Sequence, residues 1–368
     1  MLAEIDRHIP ARPSESPFYN LMRDYPLRRA KALRPALCVA TCRALGGTVE
    51  SVLPTAAALE LYHNAFLIHD DIEDGSLLRR DEPTLHVKHG VPIAVNVGDG
   101  MLALALAPLL ENTRLLGLGK ALRVLQLVAR MARESAEGQA LELGWVRDNR
   151  WDLRDEDYLR MVHKKTSYYS FITPMLVGGI AAGAGEGVLR RLFVLAGRMG
   201  TAFQIQDDVL NLDGDVAAYG KEIGGDLWEG KHTLILIHMM RNVGAEERAE
   251  AAGLLAKERP RSDAPEAARR TALLGELCSR GEITAAAKEQ IAGEFGLSGG
   301  RPERSEGDVA RLFELIRRAG SLEYAKRVSR RRALAARRTL ESTSGWMGRS
   351  THRDVLGALI DFITERDH

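Results

Sequence analysis

The sequence predicts an all-α protein, and two observations carry that prediction. Apolar residues recur at three- and four-residue spacing over long segments such as 122–143 and 188–212, which is the periodicity of amphipathic helices. Alternating β-branched runs, the usual sign of strands, are nearly absent from the sequence. Glycine and proline fall between the helical segments, as at Gly46-Gly47 and in 183–187. We therefore expect one helical domain over residues 1–368.

Residues 245–308 differ in composition from the rest of the chain. They are rich in Glu, Arg and Ala, and they contain the stretch 298–305, which is rich in Gly, Pro and Ser. Such a composition is typical of a solvated, flexible connection. We expect a charged and mobile insert here, followed by the last helices at 322–340 and 352–364.

Charge and cysteine content exclude several classes of protein. Lys and Arg number 51 against 50 Asp and Glu, so a uniformly basic surface for nucleic acid is not expected. The three cysteines are too few for a disulfide framework and lack the partners of a zinc site. The sequence shows neither a signal-peptide pattern nor a long uninterrupted apolar stretch. These features predict a soluble, cytoplasmic protein without a transmembrane segment.

An acidic cluster ends the first strongly apolar helical segment. His63, Phe66, Asp70 and Asp74 fall within about 80° of arc on an α-helix, so one face carries two carboxylates a turn apart. Closely spaced carboxylates repel each other unless a divalent cation lies between them, and Mg²⁺ prefers such oxygen ligands. Solvation of a helix end is the alternative, but acids are unfavourable at a helix C-terminus.

Basic residues follow the first acidic cluster, some in the next segment of the chain and others further along it. Arg79 and Arg80 begin five residues after Asp74, and guanidinium groups form bidentate contacts with phosphate oxygens. The glycine-rich stretch 220–233 carries Lys221 and Lys231 without the spacing of a P-loop. It is either a plain surface loop or a mobile lid over a diphosphate, and the lysines favour the lid.

A second polar cluster ends another apolar helical segment. Gln204, Asp207, Asp208 and Asn211 lie within roughly 100° of arc. Burying such groups without cations would cost several kcal/mol. Two apolar helices that each end in carboxylates are therefore expected to face each other across a cavity, with metal ions between them.

Together these motifs resemble those of the trans-isoprenyl diphosphate synthase (polyprenyl synthetase) family, and most of all its geranylgeranyl diphosphate synthases. The resemblance runs from about residue 31 to residue 366. It implies an isoprenoid-synthase-type helical bundle around a central catalytic cavity, and a homodimer. It also implies that isopentenyl diphosphate condenses with an allylic diphosphate (dimethylallyl, geranyl or farnesyl), with three Mg²⁺ ions assisting ionisation of the allylic substrate.

The resemblance assigns roles position by position. The metal ligands it implies are Asp70, Asp71, Asp74, Asp207, Asp208 and Asn211. The residues it places at the allylic diphosphate are Arg79, Lys165, Thr166, Lys221 and Lys231, with Gln204 beside the second metal cluster. The isopentenyl diphosphate site that it implies consists of Lys31, Arg34, His63 and Arg80. Catalysis is expected to depend most on Asp70, Asp74, Asp207, Lys165 and Arg79.

Four positions depart from the commonest family pattern. Asn211 replaces an aspartate, Ala32 an arginine, Asp81 a glycine and Glu142 an aspartate. The amide oxygen of Asn211 can still bind a metal directly or through water. Ala32 removes one cation, so we expect the affinity for isopentenyl diphosphate to be affected.

Product length depends on the residues one turn before the first aspartates. Phe66 lies on the same helix face as Asp70, whereas its neighbour Ala65 is small. A partial block predicts a C20 product, geranylgeranyl diphosphate, with C15 farnesyl diphosphate next. Two alternatives remain: a class I terpene cyclase, which has no second diphosphate site, and a non-catalytic subunit of a heteromeric prenyl synthase, which typically lacks one aspartate motif.

Overall fold

A computed structural model describes residues 1–11, 17–28, 32–213, 224–259, 264–294 and 302–365. Almost all of these residues are helical, which confirms the all-α prediction. The first half contains α1 (Leu2–His8), α2 (Phe18–Leu27), α3 (Leu33–Ala44), α4 (Leu53–Glu73), strands β1 (Leu78–Arg79) and β2 (Glu82–Pro83), α5 (Leu85–His89), α6 (Val91–Leu104), α7 (Leu106–Leu115), α8 (Leu118–Arg147) and α9 (Asp155–Val162).

The second half begins with a π-helix (His163–Ile172). It continues with α10 (Thr173–Ala181), α11 (Glu186–Asp213), α12 (Gly225–Glu229), α13 (Leu234–Asn242), α14 (Ala245–Leu255), α15 (Ala264–Ser279), α16 (Ala285–Glu294), α17 (Glu306–Arg318), α18 (Ser321–Glu341), a 3₁₀ turn (Ser342–Gly345) and α19 (Thr351–Glu365). The long helical segments predicted from periodicity correspond to α8, α11, α18 and α19.

Two hydrophobic clusters hold the helices together. The larger one joins α3, α4, α6, α8, α10 and α11, and its centre includes Leu59, Phe171 and Met199. The smaller one packs α9, α13 and α17 around Leu236 and Leu312. The π-helix and α11 contact each other closely between these clusters. The apolar stripes of the sequence therefore face inward, as amphipathic helices require.

Two glycines let the π-helix lie close to its neighbours. A Cβ atom on Gly138 of α8 would lie 2.3 Å from the backbone nitrogen of Lys165. A Cβ atom on Gly200 of α11 would lie 2.7 Å from the hydroxyl of Ser167. Real side chains do not approach so closely, so the wide π-helix fits only because both positions lack a side chain. Helical segments of this kind often occur at functional sites.

The two short strands form a tight hairpin directly after α4. Its turn residues Arg80 and Asp81 have φ angles of 55° and 64°. A two-residue hairpin turn needs this left-handed conformation at both positions, which glycine adopts most easily and aspartate more readily than most residues. The departure from glycine at Asp81 is therefore compatible with the turn that presents Arg79 and Arg80.

The region 245–308, which is rich in Glu, Arg and Ala, includes α14, α15 and α16. Residues 260–263 and 295–301, which include the first half of the stretch 298–305, lie outside the described residues, so the expected mobility of that stretch stays a prediction. Its last residues are described, and Arg304 among them is only 2% exposed. The helix that follows, α17, begins with a capping box in which Ser305 and Asp308 exchange hydrogen bonds.

One stretch of the described chain is apolar and long enough to cross a membrane. It runs through α6 and α7, from Val91 to Leu115, and 39% of its most apolar window is buried within the protein. Only its length and composition indicate a membrane span, and core helices of soluble proteins can be equally long and apolar. The expected absence of a transmembrane segment therefore stays a prediction.

Candidate active site

The first acidic cluster lies at the C-terminal end of α4, where its aspartates face in two directions. Asp70 is 24% exposed, whereas the side chain of Asp71 is fully buried. Asp71 accepts a hydrogen bond of 2.5 Å from the Tyr25 hydroxyl and one of 2.9 Å from Nε of Arg79. Both of its oxygens therefore have protein donors, and its contact with Arg79 fixes that guanidinium beside Asp70.

Lysines from two other elements reach the remaining aspartates. The ammonium of Lys165, on the π-helix, lies 3.1 Å from Asp70 and 2.5 Å from Glu142 of α8. The ammonium of Lys231, which follows α12, lies 2.7 Å from Asp74 and 2.8 Å from Glu229. Of the three lysines that the family resemblance placed at the allylic diphosphate, the two within the described residues thus contact the first acidic cluster.

The second polar cluster is held by hydrogen bonds across α9, α11 and the π-helix. Asp208 accepts hydrogen bonds of 2.6 Å from Tyr158 and 2.8 Å from the amide of Gln204. Gln204 in turn accepts a hydrogen bond of 2.8 Å from the Thr166 hydroxyl. Asp207 lies next to Asp208 and is partly exposed.

Asn211 has a different environment from the aspartates. Its side-chain oxygen accepts a hydrogen bond of 3.0 Å from the backbone nitrogen of Asp226. Its backbone carbonyl accepts one of 2.7 Å from Gly224. Asn211 therefore anchors the start of α12, the helix that precedes Lys231.

The two clusters meet at consecutive residues of the π-helix. Lys165 contacts Asp70 of the first cluster, and Thr166 contacts Gln204, which holds Asp208 of the second. Adjacent Cα atoms are about 3.8 Å apart, so both clusters reach the same small region. These contacts bring the two polar helix ends together, whereas the cavity and the metal ions expected between them stay predictions. We call the group Asp70, Asp74, Asp207 and Asp208 the aspartate site.

The electrostatics of the aspartate site suit a divalent cation. Burial raises the pKa of Asp74, and the charge of Asp70 adds to that effect against the opposing charge of Lys231. Burial also raises the pKa of Asp208, against the hydrogen bonds from Tyr158 and Gln204. Burial acts in the same direction on Asp70, but the charges of Lys165, Lys231 and Arg79 lower the pKa of that group. Crowded carboxylates that resist ionisation together are stabilised by Mg²⁺, so these residues fit the metal.

Two of the predicted isopentenyl diphosphate residues, Arg34 and His63, lie beside Tyr169. The guanidinium of Arg34 lies 4.5 Å from the centre of the Tyr169 ring, and its Nη2 donates a hydrogen bond of 2.7 Å to Ser170. The His63 ring lies 6.0 Å from the same tyrosine, centre to centre. The fourth predicted residue, Lys31, lies outside the described residues, as does Lys221 of the allylic site.

The charges around His63 favour an anionic ligand. Burial lowers the pKa of His63, and the positive charges of Arg34, Arg80 and Arg79 lower it further. Nδ1 of His63 is buried and has no hydrogen-bond partner among the described residues. Arg80 is held nearby by its hydrogen bond of 3.0 Å to the carbonyl of Tyr25. With the histidine neutral, the three guanidinium groups leave a net positive charge here, which a bound diphosphate would neutralise.

Aromatic rings line the helix face one turn before Asp70. Phe66 packs edge-on against Tyr62 at 5.9 Å and against Tyr169 at 5.6 Å, measured between ring centres. Ala65 is fully buried. Phe66 is therefore packed between aromatic rings, and its expected place at the end of a product-binding cavity stays a prediction.

Two residues that the sequence did not single out connect α12 and Lys231 to the rest of the protein. Glu229 contacts Lys231, accepts a hydrogen bond of 3.1 Å from Ser76 directly after the first cluster, and accepts another of 3.1 Å from Arg259. Arg304 donates to five backbone carbonyls, those of Leu227, Trp228, Leu254, Leu255 and Lys257. Both depend on contacts between residues far apart in sequence, so no local motif marks them.

An all-helical bundle whose acidic helix ends share a site with several lysines and arginines defines a class of enzyme that handles diphosphate esters with divalent metals. Within that class the chain belongs to the polyprenyl synthetase family, since the model of that family matches residues 16–271. Members of this family are trans-prenyltransferases that use isoprenyl diphosphates.

Similar proteins of known name support this membership. A short chain isoprenyl diphosphate synthase of Methanocaldococcus jannaschii is 37% identical over 62% of this chain and 68% of its own length. A geranylgeranyl diphosphate synthase of Methanosarcina mazei is 36% identical over 64% of this chain and 71% of its own. The crystal structure of a polyprenyl synthase from Caulobacter crescentus, complexed with calcium and isoprenyl diphosphate, matches with a TM-score of 0.76 at 26% identity, covering 100% of this chain and 93% of the other. The isoprenoid synthase fold expected from the sequence is confirmed.

Proposed function

We propose that this chain condenses isopentenyl diphosphate with an allylic diphosphate and releases geranylgeranyl diphosphate as its main product, with farnesyl diphosphate next. The observation that carries the proposal is the contact of Lys165 with Asp70, next to the contact of Thr166 with Gln204, which holds Asp208. The relatives named as geranylgeranyl diphosphate synthases support the product length, as do the rings around Phe66.

The aspartate site would hold Mg²⁺, with three ions when substrate is bound. When bound, the ions neutralise the negative charge that accumulates on the departing diphosphate. We assign direct contact with the metal to Asp70, Asp74, Asp207 and Asp208. Asp71, whose side chain is fully buried against Arg79, and Asn211, whose only side-chain oxygen holds the start of α12, are proposed to position Arg79 and α12.

The chain's own residues bind and orient the two substrates. Lys165, Lys231 and Arg79 hold the allylic diphosphate, because each lies against the carboxylates that would carry its metals. Arg34, His63 and Arg80 hold isopentenyl diphosphate, so that its double bond faces C1 of the allylic group. Thr166 and Gln204 keep Asp208 in place. The proton lost in forming the new double bond goes to the departing diphosphate, so no protein nucleophile is needed.

A homodimer is the proposed assembly, and the surface of α6 and α7 supports it. Large apolar side chains are exposed there, including Val91 at 47%, Leu106 at 47% and Leu110 at 61%. Continuous exposed apolar patches are uncommon on monomeric proteins and mark association surfaces. We further propose that residues 1–368 form one domain located in the cytoplasm.

Incubation of the protein with Mg²⁺, isopentenyl diphosphate and each allylic primer, followed by sizing of the products, tests the function. The proposal predicts elongated prenyl diphosphates with C20 dominant, and loss of turnover in Asp70→Asn, which keeps the side-chain shape without the charge. Products formed without isopentenyl diphosphate would point to a terpene cyclase. Absence of turnover with every primer would point to a non-catalytic subunit.

A further inference from the structure

A second cation-rich site lies between α11 and α18, away from the aspartate site. It is a surface groove of about 590 Å³ whose lining includes Arg190, Arg191, Arg198 and Arg338, which we call the arginine groove. Val194, in the groove wall, is thirteen residues before Asp207 on the same helix. At a rise of about 1.5 Å per residue, roughly 20 Å of helix separates the two sites.

Charge in the arginine groove is unbalanced, although the chain as a whole is nearly neutral. Residues 187–206 of α11 contain no acid, and residues 324–340 of α18 contain seven Lys or Arg and no acid. Of the acids next to these segments, Glu186 pairs with Arg123, Glu323 with Lys326 and Asp361 with Arg337, whereas Glu341, at the end of α18, has no basic partner in the described chain. None of the residues lining the groove in the described chain is acidic.

Part of the arginine groove is ordered in advance of any ligand. Arg198 donates hydrogen bonds across to α18, to the carbonyl of Ala335 at 3.1 Å and to the Thr339 hydroxyl. The guanidinium of Arg191 lies 5.9 Å from the centre of the Trp346 ring. The indole nitrogen of Trp346 is buried without a hydrogen-bond partner among the described residues. Arg190 and Arg338 remain exposed, one on each wall.

We propose that the arginine groove binds a phosphate- or diphosphate-bearing anion at a site distinct from the reaction centre. Guanidinium groups pair with phosphate oxygens in a planar, bidentate geometry, and four guanidinium groups surround this groove. The hydroxyl of Ser342 also lines it and can donate to an anionic oxygen. The same chemistry serves a free diphosphate or the headgroup of an anionic lipid. This inference does not depend on the product or on the metals proposed above.

Inorganic pyrophosphate and lipid vesicles are the two probes that distinguish a free diphosphate from a lipid headgroup as the ligand. Calorimetric titration with pyrophosphate counts the bound equivalents in wild type, in the double variant Arg190→Ala/Arg338→Ala, and in the control Arg349→Ala, which removes an exposed arginine outside the groove. Co-sedimentation with vesicles of phosphatidylglycerol, and of phosphatidylcholine as the neutral comparison, measures headgroup binding. Arg190→Lys/Arg338→Lys keeps the charge, and turnover measured on the alanine variant checks that this variant has not simply misfolded.

A free anion as ligand predicts that the alanine double variant loses one pyrophosphate equivalent that the control retains. A lipid headgroup predicts unchanged pyrophosphate binding and roughly 30-fold weaker binding to phosphatidylglycerol vesicles, since each basic residue near an anionic surface contributes about 5-fold. In both cases the lysine variant keeps part of the binding, and turnover with saturating substrates stays at the wild-type level. Equal pyrophosphate stoichiometry and equal vesicle binding in all variants would overturn the proposal.

Discussion

The tight contact between α8 and the π-helix allows the position of Lys165 to be tested through a residue that touches no substrate. In Gly138→Ala the new Cβ would lie 2.3 Å from the nitrogen of Lys165 and 2.7 Å from its Cα. Ordinary contacts of a Cβ begin near 3.4 Å, so the π-helix must withdraw by about 1 Å. The ammonium of Lys165 lies 3.1 Å from Asp70, and such a shift breaks that contact.

A misplacement of about 1 Å in a substrate-positioning group costs on the order of 100-fold in rate. We therefore expect Gly138→Ala to lower kcat by about that factor, while overpacking lowers the free energy of unfolding by roughly 1–3 kcal/mol. Steady-state kinetics and chemical denaturation measure the two effects.

The same helix provides a matched control. Gly144 also lies in α8, and a Cβ placed there meets nothing within 4 Å. Gly144→Ala should leave kcat unchanged and raise the free energy of unfolding by about 0.5–1 kcal/mol, because alanine favours the helix over glycine. A folded Gly138→Ala variant with wild-type kcat would refute the reasoning, as would equal losses of kcat in both variants.

Three further substitutions test other parts of the account. Phe66→Ala removes the ring between Tyr62 and Tyr169 and should lengthen the product beyond C20; chromatography of the products checks this, and an unchanged length would exclude Phe66 as the end of the cavity. Glu229→Gln weakens the ion pair that positions Lys231, so the KM for the allylic substrate should rise by about 10-fold, with little change in the KM for isopentenyl diphosphate. Equal changes in both KM values would contradict the assignment of Lys231 to the allylic diphosphate. Arg304→Ala removes the side chain that donates to five carbonyls and should lower the free energy of unfolding by roughly 3–5 kcal/mol, whereas the exposed Arg317→Ala should change it by less than about 0.5 kcal/mol in denaturant titrations.

The sequence was most informative where function depends on local spacing. Asp70 and Asp74 are a helical turn apart, and Gln204 and Asp208 are likewise, so their shared faces follow from the geometry of one helix. The apolar periodicity of α8 and α11 predicted both helices for the same reason. The assignment of Lys165 to the allylic diphosphate came from the family resemblance, which carries tertiary information that spacing lacks, and the contact of Lys165 with Asp70 was seen only in the structure.

Other features could not be read from spacing because they depend on distant partners. The π-helix exists where Gly138 and Gly200 flank it, and these glycines lie in α8 and α11. The inward direction of Asp71 depends on Tyr25, which is forty-six positions earlier in the chain. Arg304 belongs to a stretch whose composition is that of a loop, yet its burial follows from carbonyls that α12 and α14 present.

The central claim is that the two acidic helix ends share one group of metal ions around a substrate diphosphate. Crystals grown with Mn²⁺ and a non-reactive allylic diphosphate analogue would locate the ions directly by anomalous diffraction. The account predicts peaks in contact with Asp70 and Asp74 and with Asp207 or Asp208, all bound to the same diphosphate. Peaks at one aspartate pair alone, with the diphosphate bound and the other pair free of metal, would contradict it.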